Sequence, residues 1–92
     1  MIQTFGNKET EKLWTTERSR KFNSIIRPAL RKLMQLHAAE TLEDLRFPPG
    51  NHLEALQGNR KGQHSIRINQ QYRICFIWTT AGPSGVEIVD YH

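Results

Sequence analysis

A second cysteine and a long apolar run are both missing from this sequence of 92 residues. Because Cys75 has no cysteine partner within the chain, an internal disulfide is excluded and a reducing compartment is expected. No stretch approaches the roughly 18 apolar residues that a membrane-spanning helix needs. The first residues also lack the charged-then-apolar order of a signal peptide. We therefore expect a cytoplasmic protein with no membrane partner.

Metal-binding patterns are missing as well. The four histidines show neither HExxH spacing nor a neighbouring CxxC motif, so we predict no metal site. A hydrophobic fraction of 37% and a charged fraction of 24% are typical of a folded globular chain. A chain this short buries only about 60–65% of its unfolded surface. One domain over residues 1–92 is therefore predicted.

Acidic residues are absent from the segment Gln57–Arg73. In a chain with a formal net charge of +4, a segment of one sign indicates a polyanionic partner. A solubilising surface explains the charge equally well, so charge alone leaves both interpretations open. The basic side chains of the segment are those of Arg60, Lys61, His64, Arg67 and Arg73.

The first half of the chain has the periodicity of helices. Met1–Phe5 alternates weakly and could form a short strand, whereas Lys8–Trp14 is helix-prone. Apolar residues then recur at three- and four-residue spacing from Phe22 to His37, which predicts an amphipathic helix. Pro28 lies either in an early turn of that helix or at a kink.

A change of period follows the helices. Thr41–Leu45 is predicted as one further helical turn capped by Thr41, and Phe47–Asn51 ends the helical region. Apolar and polar residues then alternate as in strands. We therefore predict an α+β fold in which a small antiparallel sheet packs against N-terminal helices. Strands are expected at Leu53–Leu56, His64–Ile68, Tyr72–Trp78 and Val86–Tyr91, with a loop at Ala81–Gly85.

The loop between the second and third predicted strands decides which side chains are neighbours. A two-residue turn would pair Ile68 with Arg73 and place a charge on the apolar face. A three-residue loop, Asn69–Gln71, instead pairs Ile68 with Tyr72 and Arg67 with Arg73, and each face stays consistent. We predict this second register.

In that register Arg67 and Arg73 lie side by side, with Cβ atoms roughly 5 Å apart. Like charges opposite each other destabilise a sheet unless an anion lies between them. Two guanidinium groups could bind one phosphate at this position. The pair is therefore a candidate phosphate site.

Acid–base side chains are also present. In the terminal Asp90-Tyr91-His92, His92 could protonate a leaving oxygen, because an imidazole exchanges protons near neutral pH. A frayed surface is the alternative for these three residues. Glu54 is either a general base that takes a proton from a ribose 2′-hydroxyl or a surface partner of a nearby cation, Arg60 or Lys61. Further contacts to RNA are predicted for Arg60, Lys61, His64 and Asp90.

An ordered set of residues matches the pattern of a known family: Pro48-Pro49-Gly50-Asn51, Leu53-Glu54, Leu56, Gly58, Arg60, Gly62-Gln63, Ser65-Ile66-Arg67, Tyr72-Arg73-Ile74, Phe76, Trp78 and Asp90-Tyr91-His92. In this combination the chain resembles HigB-type toxins, GraT-like ones in particular, of the RelE/ParE superfamily of bacterial toxin–antitoxin modules. The resemblance covers nearly the whole chain and is densest in its last half.

The resemblance implies a sheet packed against two N-terminal helices and ribosome-dependent cleavage of mRNA in the 30S A site without a cofactor. It also implies a HigA-like, helix-turn-helix antitoxin as partner, through which alone operator DNA is contacted. By the same resemblance, Arg73 matches the strand arginine that contacts the scissile phosphate, and Arg67 matches a basic position on the preceding strand. Asp90 and Tyr91-His92 match the terminal acidic residue and Tyr-His pair. The implied catalytic set is Glu54, Arg67, Arg73, Tyr91 and His92.

Two positions depart from the better-studied HigB toxins, which carry a histidine and a lysine where Glu54 and Gln57 stand. YoeB-type relatives have a glutamate at the position of Glu54 and use it as the base. The resemblance therefore implies a hybrid site and a slow or mild nuclease. Two other functions stay open: a ParE-like toxin that binds DNA gyrase, and a non-catalytic RNA- or partner-binding module. The terminal Asp-Tyr-His disfavours the first, because a gyrase-binding protein needs no acid–base pair.

Overall fold

A computed structural model describes residues 1–91 of the chain as helices packed on one face of a four-stranded antiparallel sheet. This architecture confirms the predicted α+β class. The α-helices are α1 (Lys8–Thr16) and α2 (Ile26–Ala38), and 3-10 turns span Asn23–Ile25, Leu42–Arg46, Pro49–Asn51 and Gly58–Arg60. The strands, in spatial order, are β1 (Glu54–Ala55), β2 (His64–Arg67), β3 (Tyr72–Thr79) and β4 (Gly82–Asp90).

Helix α2 supplies most of the helical side of the core. Ala29, Leu33 and Leu36 recur along one face and are fully buried. Pro28 lies in the first turn, where its missing N–H costs little, so the alternative of a kink is wrong. Neither this helix nor any other within residues 1–91 is long and apolar enough to cross a membrane.

The core lies between these helices and the inner face of the sheet. Alternation along the strands places one set of apolar side chains toward α1 and α2. These side chains are 0–3% exposed, and they pack with Leu13 of α1 and Leu33 of α2. The set consists of Ile66, Ile74, Phe76, Val86 and Ile88.

The register between β2 and β3 is the predicted one. Arg67 is the partner of Arg73, and the N–H of Ile68 donates to the carbonyl of Tyr72 at 2.9 Å. The turn needs no glycine, because Oδ1 of Asn69 accepts from the backbone N–H groups of Gln71 and Tyr72, both at 2.8 Å.

The predicted loop at Ala81–Gly85 is wrong, because β4 already begins at Gly82. The glycines and the proline indicated a loop. In the structure Gly82 has a φ of 131°, which glycine adopts readily, and its lack of a side chain lets the N-terminal segment lie against the start of β4. A Cβ on Gly82 would collide with the carbonyl oxygen of Met1. The N-terminal segment runs beside β4 and bonds to it, with the N–H of Gln3 donating to the Pro83 carbonyl at 2.8 Å. The neighbouring N-terminal segment therefore stabilises a strand where local propensity disfavours one.

Candidate functional site

The outer face of the sheet, turned away from α1 and α2, carries the polar side chains of the strands. Alternation directs Ser65 and Arg67 to this face while Ile66 points into the core. Register then sets their neighbours, since Glu54 is the partner of Ser65 and Arg73 is the partner of Arg67. Residues from three strands and from the loop before β1 thus meet on one surface.

Arg73 is held in place by neutral acceptors. Its Nε donates to Oγ of Ser65 at 2.8 Å, and its Nη2 donates to the carbonyl oxygen of His52 at 2.5 Å. The residue is only 7% exposed. Its Nη1 donates no hydrogen bond to any residue within 1–91. The guanidinium is therefore oriented on one edge and retains donor groups for a ligand.

Glu54 and Tyr91 lie next to this guanidinium. Oε2 of Glu54 is 4.0 Å from Nη2 of Arg73, and the Glu54 side chain is 52% exposed. The guanidinium lies 5.7 Å from the centroid of the Tyr91 ring, which is a cation–π distance. The structure thus brings together three of the sequence-predicted catalytic residues. The fifth of that set, His92, lies outside the described residues.

Arg67 does not share a site with Arg73 in the expected way. Its Nε donates to the carbonyl of Asn69 at 3.1 Å, two residues further along the chain. Arg73 instead bonds to Ser65, which lies in the opposite direction along β2. The two guanidinium groups therefore diverge, and carbonyl and hydroxyl acceptors reduce the repulsion that was expected to need an anion. Arg67 remains half-buried at the border of the site.

Arg60 has a different partner from those predicted. Its Nη1 donates to Glu87 at 2.6 Å and to Gln63 at 3.1 Å. The hydrogen bond that Arg60 donates to Glu87 raises the pKa of Arg60 above its ordinary value. Arg60 therefore ties the Gly58–Arg60 turn to β4. Its partner is Glu87 and not Glu54, so the interpretation of Arg60 as a surface partner of Glu54 is wrong. The same bonds engage the guanidinium that was expected to contact phosphate. Lys61, beside it, is exposed.

The prediction that His64 contacts RNA is not supported by its position. His64 lies on the inner face, and its ring stacks on Phe76 with 6.4 Å between centroids. Its Nδ1 is buried and has no hydrogen-bond partner within residues 1–91. The side chain thus faces away from Arg67 and Arg73, because even-numbered residues of β2 point into the core.

The end of β4 is fastened to the β2–β3 turn. Oδ2 of Asp90 accepts from Nε2 of Gln71 at 3.1 Å, and the N–H of Tyr91 donates to the Gln71 carbonyl at 2.6 Å. The segment is therefore bonded to the sheet as far as Tyr91, and the alternative of a frayed surface is wrong for Asp90 and Tyr91. Asp90 acts as a hydrogen-bond acceptor that holds the segment, and its contact with RNA stays a prediction.

Sequence reasoning missed two groups that orient Arg73, namely the hydroxyl of Ser65 and the carbonyl of His52. Ser65 is fully buried on a polar face, and a small hydroxyl residue next to an arginine register pair was a usable signal. A backbone carbonyl carries no such signal in a sequence. Within residues 1–91, no three histidine, cysteine, aspartate or glutamate side chains are grouped so that they could hold a metal ion.

A family model and one relative of known name identify the family of this chain. The family model described as "RelE-like toxin of type II toxin-antitoxin system HigB" matches residues 3–92. Toxin HigB-1 of Vibrio cholerae serotype O1 is 42% identical over 80 residues, which cover 85% of this chain and 84% of that toxin. An uncharacterised protein of Haemophilus influenzae is 41% identical over 54 residues, 59% of this chain and 54% of that protein.

Among solved structures, the YoeB–YefM complex from Staphylococcus aureus contains a chain that is similar to this one. The TM-score is 0.58 at 16% identity, over 100% of this chain and 98% of that chain. At that identity the likeness shows the fold alone.

Proposed function

The chain belongs to the HigB-like family of RelE-like toxins of type II toxin–antitoxin systems, and from that premise we propose that it is a ribosome-dependent mRNA endonuclease. It inhibits translation in the cytoplasm by cleaving mRNA in the 30S A site through attack of a ribose 2′-hydroxyl on the adjacent phosphate. This reaction needs a base, an acid and charge stabilisation on the phosphorane, and none of these has to be a metal.

The observation that supports the proposal is the arrangement of Glu54, Arg73 and Tyr91 on one face. Oε2 of Glu54, 4.0 Å from Arg73, is exposed enough to accept a proton from a ribose hydroxyl. The Arg73 guanidinium, oriented by Ser65 and His52, stabilises the negative charge that develops on the phosphorane.

The remaining roles fall to residues around this centre. His92 donates the proton that the 5′-oxygen takes as it leaves. Tyr91, 5.7 Å from Arg73 and 45% exposed, offers a ring edge to a base. Lys61 and Arg67 contact flanking phosphates, which adds affinity without sequence information.

A toxin of this class has an antitoxin partner, and we propose a HigA-like helix-turn-helix protein in that role. Contact with operator DNA then occurs only through the antitoxin. The reading frame next to the toxin's own is the first place to look for this protein.

The test is primer extension on mRNA from cells that express the chain. Wild type is expected to produce discrete cuts in phase with codons, and Glu54→Gln is expected to abolish them. Glu54→Gln removes an exposed carboxylate and should leave the fold intact. Glu43→Gln is the matched control, because Glu43 is also exposed but pairs with Arg46, in its own 3-10 turn, and not with Arg73.

One outcome would reject the proposed nuclease, and another would remove only the role given to Glu54. Intact mRNA together with double-strand DNA breaks would assign the chain to gyrase-poisoning toxins. Unchanged cuts in Glu54→Gln would remove Glu54 as the base.

A non-catalytic RNA-binding module is the second candidate, because Lys61 and Arg67 could hold RNA phosphates even if Arg73, which is 7% exposed, does not reach the reacting phosphate. Ribosome binding without any cleavage would identify it.

A further inference from the structure

The Pro48–Asn51 motif ends in an asparagine that is completely buried, although its side chain is polar. We propose that Asn51 is the positioning residue for Arg73: its amide holds the loop whose next carbonyl, that of His52, orients the guanidinium. The inference rests on the proposed function for its effect on cleavage, but its effect on the Arg73 side chain can be measured separately.

The side-chain amide of Asn51 bonds both to α2 and to the chain segment that leads into the Pro48–Asn51 motif. Nζ of Lys32 donates to its Oδ1 at 2.5 Å, and its Nδ2 donates to Oε1 of Gln35 at 3.1 Å. The same Nδ2 also donates to the carbonyls of Leu45 and Phe47, each at 3.2 Å. Because only acceptors surround Nδ2 and a cation faces Oδ1, the amide has one possible orientation.

The residue that follows has an unusual backbone. His52 has a φ of 45°, in the left-handed region that residues other than glycine, asparagine and aspartate seldom occupy. Its N–H bonds to the Pro49 carbonyl at 3.1 Å, and its own carbonyl accepts from Nη2 of Arg73. The bonds of Asn51 hold the chain just before this residue and so help to keep the carbonyl directed at the sheet.

If the His52 carbonyl turned away from Arg73, only Ser65 among the described residues would still accept hydrogen bonds from the guanidinium. The guanidinium could then rotate away from the position where charge develops on the phosphorane. Misplacement of an oriented donor lowers the rate of the chemical step more than it lowers RNA binding, which depends on several phosphate contacts. We therefore expect kcat to fall while KM stays nearly constant.

The first test uses Asn51→Asp, which has the same shape and keeps an oxygen for Lys32 but removes both N–H donors. Asn23→Asp, at an exposed position, is the matched control for the added charge. With ribosome-bound mRNA as substrate, we expect Asn51→Asp to lower kcat about 10- to 100-fold and Asn23→Asp to leave it unchanged. In an Arg73→Lys background, Asn51→Asp should produce almost no further loss, because both changes act through the same group.

A second pair of variants guards against failure of Asn51→Asp to fold. His52→Gly and His52→Asn both remove the imidazole and both tolerate a left-handed φ, but only glycine loosens the backbone. We expect His52→Gly to lower kcat more than His52→Asn.

NMR of the Arg73 side chain tests positioning without any cleavage. A guanidinium with restricted rotation about Nε–Cζ shows separate Nη1 and Nη2 resonances, which we expect in wild type and in Asn23→Asp. In Asn51→Asp and His52→Gly the two resonances should merge. If wild type cleaves no RNA but these resonances behave as described, the proposed function fails and the positioning role stands. Separate resonances in every variant, or an equal loss of kcat in the Arg73→Lys background, would overturn the inference.

Discussion

Arg60 and Arg73, two arginines on the outer face of the sheet, lie at different distances from the nearest carboxylate within residues 1–91. Arg60 contacts Glu87 at 2.6 Å, whereas Arg73 lies 4.0 Å from Glu54. Arg73 makes its short bonds instead to a hydroxyl and a carbonyl, which are neutral. Neutral acceptors orient a guanidinium without cancelling its charge. Arg73 therefore still attracts an anionic ligand, whereas the charge of Arg60 is already neutralised by Glu87.

The comparison explains why two similar residues have different roles. Arg60 and Glu87 neutralise each other in a contact ion pair, which fastens the Gly58–Arg60 turn to β4. Arg73 is oriented but has no carboxylate of the described part of the chain in direct contact, so its charge is available to a ligand. We therefore expect substitutions of Arg73 to affect cleavage and substitutions around Arg60 to affect stability.

The largest expected effect is on cleavage by Arg73→Lys. Lysine keeps the charge but loses the planar array of donors, so kcat should fall about 100-fold or more. Arg60→Lys is the matched control and should change kcat less than about threefold, since Glu87 already pairs with the charge at this position. Single-turnover cleavage of ribosome-bound mRNA measures both. Equal losses in the two variants would erase the distinction between the arginines.

Ser65→Ala should have an intermediate effect. It removes the hydroxyl that accepts from Nε of Arg73 and adds no charge. Loss of one oriented hydrogen bond corresponds to about a tenfold fall in kcat. The same cleavage assay applies, with thermal unfolding to show that the protein is folded. A kcat equal to that of wild type would mean that His52 alone orients the guanidinium.

Glu87→Gln tests the ion pair between Arg60 and Glu87. The side chains of Arg60 and Glu87 are 35% and 21% exposed, so removal of the charge should lower the free energy of unfolding by about 1 kcal/mol. Cleavage by the folded protein should not change. Urea denaturation gives the first quantity and the primer-extension pattern the second. A loss of cleavage without a loss of stability would place Glu87 in the site.

The smallest effect concerns Cys75, which is completely buried on β3. Burial raises the pKa of its thiol, so the thiolate is scarce at neutral pH and becomes more abundant only as the pH rises above the usual range of a cysteine. Iodoacetamide should therefore modify native protein at less than about a tenth of the rate seen in urea. Mass spectrometry of the adduct follows both rates. Equal rates would show that the sheet opens readily at β3.

Predictions from local patterns were confirmed where a local cause acts. The Thr41 turn is an example, because Thr41 and Asp44 form a capping box within four residues. Register between β2 and β3 is another, because Asn69 closes the turn with its own side chain. Predictions about partners failed where several candidates were available, as for Arg60, whose partner lies 27 residues away.

The sequence by itself determined the helix stripe, the alternation of the strands and the Arg67–Arg73 register, since each follows from side-chain spacing and from the two faces of a strand. It also carried the pattern that the HigB-like family model matches. Only the tertiary structure decided that β4 begins at Gly82, that Arg60 pairs with Glu87 and that Arg73 is bonded to the carbonyl of a residue 21 positions earlier. Spacing records which face a side chain occupies, whereas the choice among distant acceptors depends on how the loop before β1 packs on α2 through Asn51.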